Sequence, residues 1–409
     1  MAVGNSPFPV MPPLAGVRLG SAMAGIKKPG RRDMVVIELP ASATVSGVFT
    51  RNAFCAAPVT VAKAHIERCR EVRCAPRYWL INTGNANAGT GKRGLDDAYA
   101  SCRALAEEAG VDEHQVLPFS TGVIGEPLPM ERLLAGVAPA CGALSDDGQA
   151  WQHAGEGILT TDTRAKGATL SVALSGGTVT INGITKGSGM IKPNMATMLA
   201  FVVTDATIEQ SLLDQLLRDT VDASFNCITV DSDTSTNDAC MLAATGSGAV
   251  VQSEADIALF RNALQQVMMT LAQAIIRDGE GATKFVTLHV TGAQSRQEAL
   301  DVAFTVAHSP LVKTALYASD ANWGRILAAV GRAGVEDFDV SRVVIDLGDV
   351  RLVEQGGRAD GYTEAKGSAV MAEAEITISI GLGRGEHEAT VWTSDLSHEY
   401  VSINADYRS

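Results

Sequence analysis

Aromatic side chains and extended basic segments are both scarce in this sequence of 409 residues. Only 5% of the residues are aromatic, whereas 40 are glycine. This composition favours tight turns and close backbone approaches over an aromatic-rich binding surface. Acidic side chains outnumber basic ones by 46 to 33, which gives a formal net charge of -13. We therefore expect neither nucleic acid nor an anionic membrane as a partner.

Cysteines and histidines at metal-ligand spacing are missing as well. The seven cysteines form an odd, scattered set without a C-x-x-C pair, and the seven histidines are equally dispersed. Zinc sites are normally recognised by close ligand pairs, so the sequence predicts no metal site. Reduced and mostly buried thiols are the expected state of the cysteines.

The sequence also lacks a long hydrophobic run. No segment approaches the ~18 apolar residues of a membrane helix, and the start MAVGNSPFPVMPPLAG is interrupted by proline where a signal peptide would be apolar. A cytoplasmic protein is therefore expected. Because 46% of the residues are hydrophobic, the chain can form a sizeable core, and its length is typical of two or three domains.

Short β-type runs alternate with helical patterns along the whole chain. Apolar residues recur at helical spacing between Leu95 and Ala106 and again between Ile257 and Ile275. Thr207 and Gln210 form a possible capping box ahead of a further helix. The alternation predicts an α/β or α+β layered fold with mixed sheets between helices. The ten predicted strands are 34–39, 45–50, 78–83, 169–174, 178–181, 199–203, 285–290, 342–347, 375–380 and 389–393.

The segment GTGKRG (89–94) matches the dinucleotide fingerprint G-x-G-x-x-G between a predicted strand and a helix. Gly89, however, follows a detour after the strand instead of leaving it directly. A phosphate-binding P-loop fails because Ala86 and Arg93 stand where glycine and Ser or Thr are required. A dinucleotide-binding regulatory protein stays open as a non-enzyme alternative.

The segment DSDTSTND (231–238) has the alternating acids of a calcium loop. Such a loop needs glycine at its sixth position and glutamate at its twelfth, where this chain has Thr236 and Leu242. The segment therefore predicts a hydrogen-bonded polar turn. No G-x-S-x-G elbow supports a serine triad elsewhere.

One segment, KGSGMIKPNMATML (186–199), runs from a glycine turn to Ala196-Thr197 just before a buried strand. Taken alone, it is an ordinary turn and strand entry. Together with five other segments it resembles the ornithine acetyltransferase family, the self-cleaving glutamate N-acetyltransferases of arginine biosynthesis. The resemblance extends from about residue 10 to the last residue. The other segments are STGVIG (120–125), LTTDT (159–163), DGEGATKF (278–285), SDANWGRI (319–326) and NADYRS (404–409).

The resemblance implies that the chain cuts itself between Ala196 and Thr197 into an α chain, 1–196, and a β chain, 197–409. A threonine hydroxyl is a poor nucleophile without a base. The cut would give Thr197 a free α-amino group, whose pKa of about 7.7–8.0 lies well below the 10.4 of lysine. This amine is covalently positioned beside the hydroxyl, so Thr197 can supply both nucleophile and base.

The implied reaction moves acetyl from N2-acetylornithine to glutamate by a ping-pong mechanism with an acetyl-Thr197 intermediate. Thr121 and Gly122 would form the oxyanion hole, which a hydroxyl and backbone N–H groups can provide. Lys186 suits a substrate carboxylate and Glu280 an ammonium. Within LTTDT, Thr160 is preferred to Thr163 as the substrate contact, and Thr161 stays open. The implied substrate-binding residues are Thr160, Lys186, Thr197, Glu280, Asn404 and Ser409.

The resemblance further implies an α2β2 heterotetramer with no metal and no bound organic cofactor. Some family members also acetylate glutamate from acetyl-CoA, and the sequence leaves open whether this chain does. A second enzyme interpretation remains, an amino-terminal-threonine amidase or peptidase, because the same nucleophile can pass its acyl group to water.

Overall fold

The computed structural model describes residues 3–4, 7–192 and 198–406. Ala196, Thr197 and Ser409 of the predicted site therefore lie outside the described residues. No helix in the described part of the chain is long and apolar enough to cross a membrane.

All ten predicted strands are present, with ends shifted by a few residues. Six further strands, among them the eight-residue β5, complete the sheets. The strands are β1 Arg18–Ala22, β2 Met34–Glu38, β3 Thr44–Phe49, β4 Tyr78–Asn85, β5 Val116–Val123, β6 Lys166–Leu174, β7 Gly177–Lys186, β8 Leu199–Thr204, β9 Ile228–Thr229, β10 Ala239–Ala244, β11 Phe285–Ala293, β12 Val344–Leu347, β13 Val350–Glu354, β14 Gly357–Arg358, β15 Glu375–Gly381 and β16 His387–Ser394.

The helices include those predicted from periodicity, and short 3-10 turns lie at Glu113–Gln115, Phe225–Cys227 and Val340–Arg342. The α-helices are α1 Ala57–Val72, α2 Gly91–Ala109, α3 Met130–Gly142, α4 Gly148–Gly157, α5 Gln210–Asp222, α6 Glu254–Arg277, α7 Arg296–Ala307, α8 Pro310–Tyr317, α9 Trp323–Gly331, α10 Glu364–Met371 and α11 His398–Ala405.

The predicted capping box at the start of α5 is wrong. The helix begins at Gln210, and the side chain of Glu209 accepts from the backbone N–H groups of Ser211 and Leu212. Thr207 instead donates its hydroxyl to Gly248 O at 2.9 Å. A carboxylate at the N-cap satisfies the free N–H groups as a threonine would, and it also suits the positive end of the helix dipole.

Two sheets pack face to face between two layers of helices. The first has the strand order β1-β2-β4-β5 and the second β3-β10-β8-β7-β6. Rings of Trp79 and Phe119 from the first sheet meet Phe201 of the second, with centroids 5.5 and 5.1 Å apart. Helices α1, α2 and α3 cover the outer face of the first sheet, and α5 and α6 cover that of the second. The predicted layered α/β fold is thereby confirmed.

Strand β2 shows why the sequence from Met34 to Ile37 is a continuous apolar run. Val35 and Ile37 point into the core between the sheets, whereas Met34 and Val36 pack under the outer helices. A strand in an inner layer has no solvent face, so both alternating sets of side chains must be apolar.

A third sheet has the order β14-β13-β12-β15-β11-β16-β9. One face of this sheet packs against α7, α8 and α9 around a separate core. Phe285 and Trp392 also contact the core under α6. Helix α6 therefore packs against both the second and the third sheet.

The two ends of the segment 186–199 lie in neighbouring strands of the second sheet. Strands β7 and β8 pair antiparallel, and Leu199 lies directly opposite Lys186. The chain therefore leaves β7 at Lys186 and returns beside it at Leu199.

Candidate active site

One cavity of about 230 Å³ collects all six predicted site residues that the structure describes. They come from widely separated parts of the sequence and from all three sheets or their connections. The six are Thr121, Gly122, Thr160, Lys186, Glu280 and Asn404. Other lining residues are Ala86, Val123, Ile124, Thr161, Gly189, Met190, Ser235, Thr236 and Asn237.

Thr121 and Gly122 lie within β5, near its end. Gly122 has φ +136°, and a Cβ there would lie 2.3 Å from the carbonyl carbon of Gly84. Only glycine allows β4 and β5 to approach so closely at this point. The strand end is thus shaped to bring a backbone N–H and the Thr121 hydroxyl to the cavity.

Lys186 ends β7 with its side chain in the cavity wall. Its Nζ donates to Thr121 Oγ1 at 3.2 Å, and the residue is only 3% exposed. Burial lowers the pKa of Lys186, which the carboxylate of Asp162 partly opposes. An ammonium aimed at the Thr121 hydroxyl increases the positive potential around the candidate oxyanion hole.

Glu280 provides the negative end of the cavity. Its Oε2 accepts from Asn404 Nδ2 at 2.8 Å, and its Oε1 accepts from Thr161 Oγ1 at 2.8 Å. A Cβ on Gly189 would lie 2.3 Å from Glu280 Oε2, so a glycine is needed for the carboxylate to fit. A buried, oriented carboxylate of this kind suits an ammonium group.

A buried ionic group supports the floor of the cavity. Lys166 Nζ lies 2.6 Å from both Asp162 and Asp278, and the three side chains are at most 1% exposed. Asp162 also accepts from the backbone N–H groups of Thr160 at 3.1 Å and Gly187 at 2.8 Å. Burial opposes the charge of Asp162, yet Lys166 and Lys186 hold the pKa of that carboxyl well below its usual range. Asp162 thereby fixes the backbone at Thr160 and at Gly187, in two separate segments beside the cavity.

The threonines of LTTDT have different surroundings. Thr160 and Thr161 line the cavity. Thr163 donates its hydroxyl to Asp278 and its backbone N–H to the same carboxylate at 3.0 Å. Thr163 therefore belongs to the supporting ionic group, and Thr160 and Thr161 are the ones able to reach a ligand.

The segment DSDTSTND is the polar hydrogen-bonded turn that the sequence predicts, but its place at the site was missed. Asp231 accepts from Met190 N at 2.6 Å and Ile191 N at 2.9 Å. Asp238 accepts from Met198 N at 3.0 Å. The two aspartates thus hold the chain on either side of residues 193–197. Burial raises the pKa of Asp238 well above its usual range.

Asn237 links this turn to the first sheet. Its Nδ2 donates to Ala86 O at 2.6 Å and to Ser120 O at 2.9 Å. The only signal in the sequence was the density of Ser, Thr, Asn and Asp, which marks hydrogen-bonded turns in general.

The glycines of GTGKRG are explained by the turn itself. Asn87 accepts from the Thr90 hydroxyl at 2.8 Å and donates to Gly94 O at 2.9 Å. A Cβ on Gly94 would lie 1.8 Å from Thr90 Oγ1. The loop is therefore filled by its own side chains where a dinucleotide would need open backbone.

Three potential metal ligands meet away from this cavity. One ligand atom each of Cys69, Cys74 and His114 lies within 4.8 Å of the others, and Cys69 Sγ donates to His114 O at 3.2 Å. Sequence spacing gave no sign of this group, because His114 lies in a 3-10 turn far along the chain. In the part of the chain that the structure describes, these residues are the set able to hold a metal ion.

The main cavity combines hydroxyl and backbone donors, a buried ammonium and an oriented carboxylate, which are the parts of an acyl-transfer site. The ArgJ family model matches residues 18–409. The chain is 56% identical over 413 residues to the arginine biosynthesis bifunctional protein ArgJ of Pseudomonas fluorescens (strain Pf0-1), with full coverage of both chains. It is 54% identical to the protein of the same name from Methylococcus capsulatus (strain ATCC 33009 / NCIMB 11132 / Bath), covering 97% of this chain and 96% of the other.

A crystal structure of arginine biosynthesis bifunctional protein argJ from Bacillus halodurans is 41% identical, with a TM-score of 0.47, and covers 49% of this chain and 95% of that chain. The extent of the sequence matches decides the assignment. The chain belongs to the ArgJ family, and it is an enzyme, an acyltransferase.

Proposed function

We propose that this enzyme moves acetyl from N2-acetylornithine to glutamate in arginine biosynthesis, through an acetyl-Thr197 intermediate. The observation that carries the proposal is the convergence of Thr121, Lys186 and Glu280 on one cavity. Thr197 is two residues before Leu199, the direct cross-strand neighbour of Lys186. The sequence thus attaches the proposed nucleophile to a strand that begins beside the cavity.

Self-cleavage between Ala196 and Thr197 would prepare the nucleophile. At pH 7 about a tenth to a sixth of an α-amine with ordinary pKa is neutral, against less than about a thousandth of a lysine amine. The new amine of Thr197 can therefore accept the proton of its own hydroxyl when Oγ attacks the acetyl carbonyl.

The negative charge that develops during acetyl transfer would lie close to donor groups of the cavity. The tetrahedral oxyanion would be stabilised by the Thr121 hydroxyl and the backbone N–H of Gly122, with Lys186 behind them. Collapse of the intermediate breaks the bond to ornithine, which takes the proton and leaves. The amine of glutamate then attacks acetyl-Thr197, and the threonine hydroxyl is regenerated.

The ends of the substrates have complementary partners. Glu280 would bind the side-chain ammonium of ornithine, with Asn404 and Thr161 orienting the carboxylate. Lys186 has three N–H donors, one of which is directed to Thr121 among the described contacts. We assign a substrate carboxylate to Lys186, and further substrate contacts to Thr160 and to Ser409, which lies outside the described residues.

Cleavage is tested by mass spectrometry of the denatured protein. We expect fragments 1–196 and 197–409, and intact chain for Thr197→Ala. Thr197→Ser should cleave because it keeps a hydroxyl, and Thr270→Ala, at an exposed position of α6, should cleave like the native chain. Full activity of an uncleaved chain would overturn the mechanism.

The acyl intermediate and its acceptor are tested together. Incubation with N2-acetylornithine should add one acetyl group to fragment 197–409, and glutamate should remove it. Ornithine release that proceeds equally fast without glutamate would show hydrolysis, and the amidase interpretation would then replace transfer.

We also propose that two cleaved copies associate as α2β2 in the cytoplasm. The proposal comes from the family resemblance. Native mass spectrometry should give about twice the 42.7 kDa of one chain, and a single copy at micromolar concentration would contradict it.

A further inference from the structure

Three side chains with metal-binding atoms meet at the carboxyl end of α1. One ligand atom each of Cys69, Cys74 and His114 lies within 4.8 Å of the other two, and none of the three residues lines the proposed active-site cavity. Neighbouring ligand atoms around a tetrahedral zinc ion are roughly 3.5–3.8 Å apart, because Zn–S bonds are about 2.3 Å and Zn–N bonds about 2.0–2.1 Å long. Closing the three atoms on an ion needs shifts of about 1 Å, which small side-chain rotations can supply.

The end of α1 brings the two cysteines together. Arg73 follows the helix in the left-handed region, with φ 57° and ψ 44°. Its N–H donates to Arg70 O at 3.3 Å, and the N–H of Cys74 donates to Cys69 O at 2.9 Å. These two bonds form a Schellman motif, in which the side chains at the positions of Cys69 and Cys74 usually make an apolar contact. Any two small apolar residues would serve the motif, yet both positions here have thiols.

The turn before β5 provides the third ligand. His114 is the central residue of this 3-10 turn. Gln115 Nε2 donates to Ala75 O at 3.1 Å, and Arg77 N donates to Gln115 O at 2.7 Å. The turn is therefore fixed against the residues that follow Cys74, so the imidazole and the thiols are positioned before any ion binds. Such preorganisation lowers the cost of binding.

The imidazole of His114 has a nitrogen that no protein group engages. In the part of the chain that the structure describes, its Nε2 is buried and has no hydrogen-bond partner. Buried polar atoms of this kind are rare in folded proteins and costly unless a water or an ion binds them. A neutral imidazole and two thiolates are ligands that zinc prefers.

The three ligands can be reached from solvent. Cys69 is buried, whereas Cys74 and His114 are only half-buried. In the surface cavity beside His114, the guanidinium of Arg103 is paired with Glu113 at 3.4 Å, so its charge is largely compensated. An ion can therefore enter from this side, and a water can complete its coordination.

We propose that Cys69, Cys74 and His114 form a binding site for Zn²⁺ that joins the end of α1 to the turn before β5. The two thiols release their protons to solvent and bind as thiolates, the imidazole binds as the neutral ring, and a water takes the fourth position. The two thiolates then balance the charge of the ion. The sequence predicted no metal site because the third ligand lies in a distant part of the chain.

Metal titration of the untagged, reduced and chelator-free protein tests the site. Tetrahedral Co²⁺ with thiolate ligands absorbs in the visible and near-ultraviolet, whereas Zn²⁺ does not. We expect one Co²⁺ per chain with these bands, displaced by one Zn²⁺. Cys74→Ser and His114→Ala should each weaken Zn²⁺ binding by more than about 100-fold, since losing only the outer partner of a ligand costs about 10- to 100-fold. Cys141→Ser, at a half-buried cysteine of α3, should bind like the native chain.

Protection from alkylation locates the site without any substitution. Zn²⁺ should block the reaction of Cys74 with iodoacetamide and leave that of Cys55, also half-buried, unchanged, as read by peptide mass spectrometry. If the two variants do not fold, the native titration and this protection decide. The proposal is overturned if the native protein does not bind one Co²⁺ with thiolate bands, or if binding persists in both variants. A Cys69–Cys74 disulfide in protein isolated without air would overturn it as well.

Discussion

At the scale of single residues, the site depends on buried charges with fixed partners. Lys186 and Glu280 are nearly excluded from water, yet each has hydrogen bonds that orient it. A buried charge without partners would be costly, so these contacts are the condition for keeping ionised groups in the cavity. Substituting Lys186 or Glu280 should therefore weaken ligand binding more than the same substitution at an exposed lysine or glutamate.

Glu280→Gln should raise the KM for N2-acetylornithine by about 10- to 100-fold. The amide keeps the shape and can still accept from Asn404, but it loses the charge that pairs with the ammonium, a loss of about 1.5–3 kcal/mol. Steady-state kinetics checks this, with Glu71→Gln as control because Glu71 forms an exposed pair with Arg68. An unchanged KM would remove Glu280 from the proposed substrate contacts.

At the scale of elements, the five-stranded sheet contains strands from both sides of the proposed cut. Strands β3, β6 and β7 precede Thr197, whereas β8 and β10 follow it. The sheet order makes β3 pair with β10 and β7 pair with β8. Cleavage would therefore leave two backbone ladders joining the fragments, together with the core between the first and second sheets.

We expect fragments 1–196 and 197–409 to remain associated after cleavage. They should co-elute in size-exclusion chromatography at the volume of the uncleaved Thr197→Ala variant, and separate only in denaturant. The buried apolar faces of the second sheet would otherwise be exposed to water. Separation in native buffer would contradict the shared sheet.

At the scale of the whole molecule, buried polar contacts as well as apolar packing hold the helices against the third sheet. Lys313 of α8 donates to Thr393 Oγ1 at 3.0 Å and to Ser394 O, at the end of β16. Burial lowers the pKa of Lys313 to about 8, although Asp395 and Asp231 oppose the shift.

This lysine should make stability depend on pH. Between pH 8 and the ordinary lysine pKa of 10.5, the unfolded chain binds a proton that the folded chain has lost. The contribution of Lys313 to the free energy of unfolding should therefore rise with pH across that window, by up to about 1.4 kcal/mol per pH unit. Below pH 8 both states are protonated and this contribution is constant.

Lys313→Met should remove this rise, which urea unfolding at pH 7.5, 8.5 and 9.5 can measure. The comparison belongs in the Thr197→Ala background, where one uncleaved chain unfolds. Lys92→Met, at an exposed position, should retain the native pH dependence. An equal slope in the Thr197→Ala protein with and without Lys313→Met would contradict the lowered pKa.

The sequence by itself determined ten of the strands, the helices α2, α5 and α6, and the family. Periodicity and turn chemistry are local properties, so runs such as 34–39 and 199–203 could be assigned without knowing their neighbours. The motif around Thr197 was likewise contiguous. Its resemblance to a known family, rather than its composition, gave it chemical meaning.

Only the tertiary structure brought residues 121, 186 and 280 to one cavity, because contacts between distant parts of the chain leave no periodic trace in the sequence. The same holds for Asp231 and Asp238, which the sequence marks as a polar turn and the fold places on either side of residues 193–197.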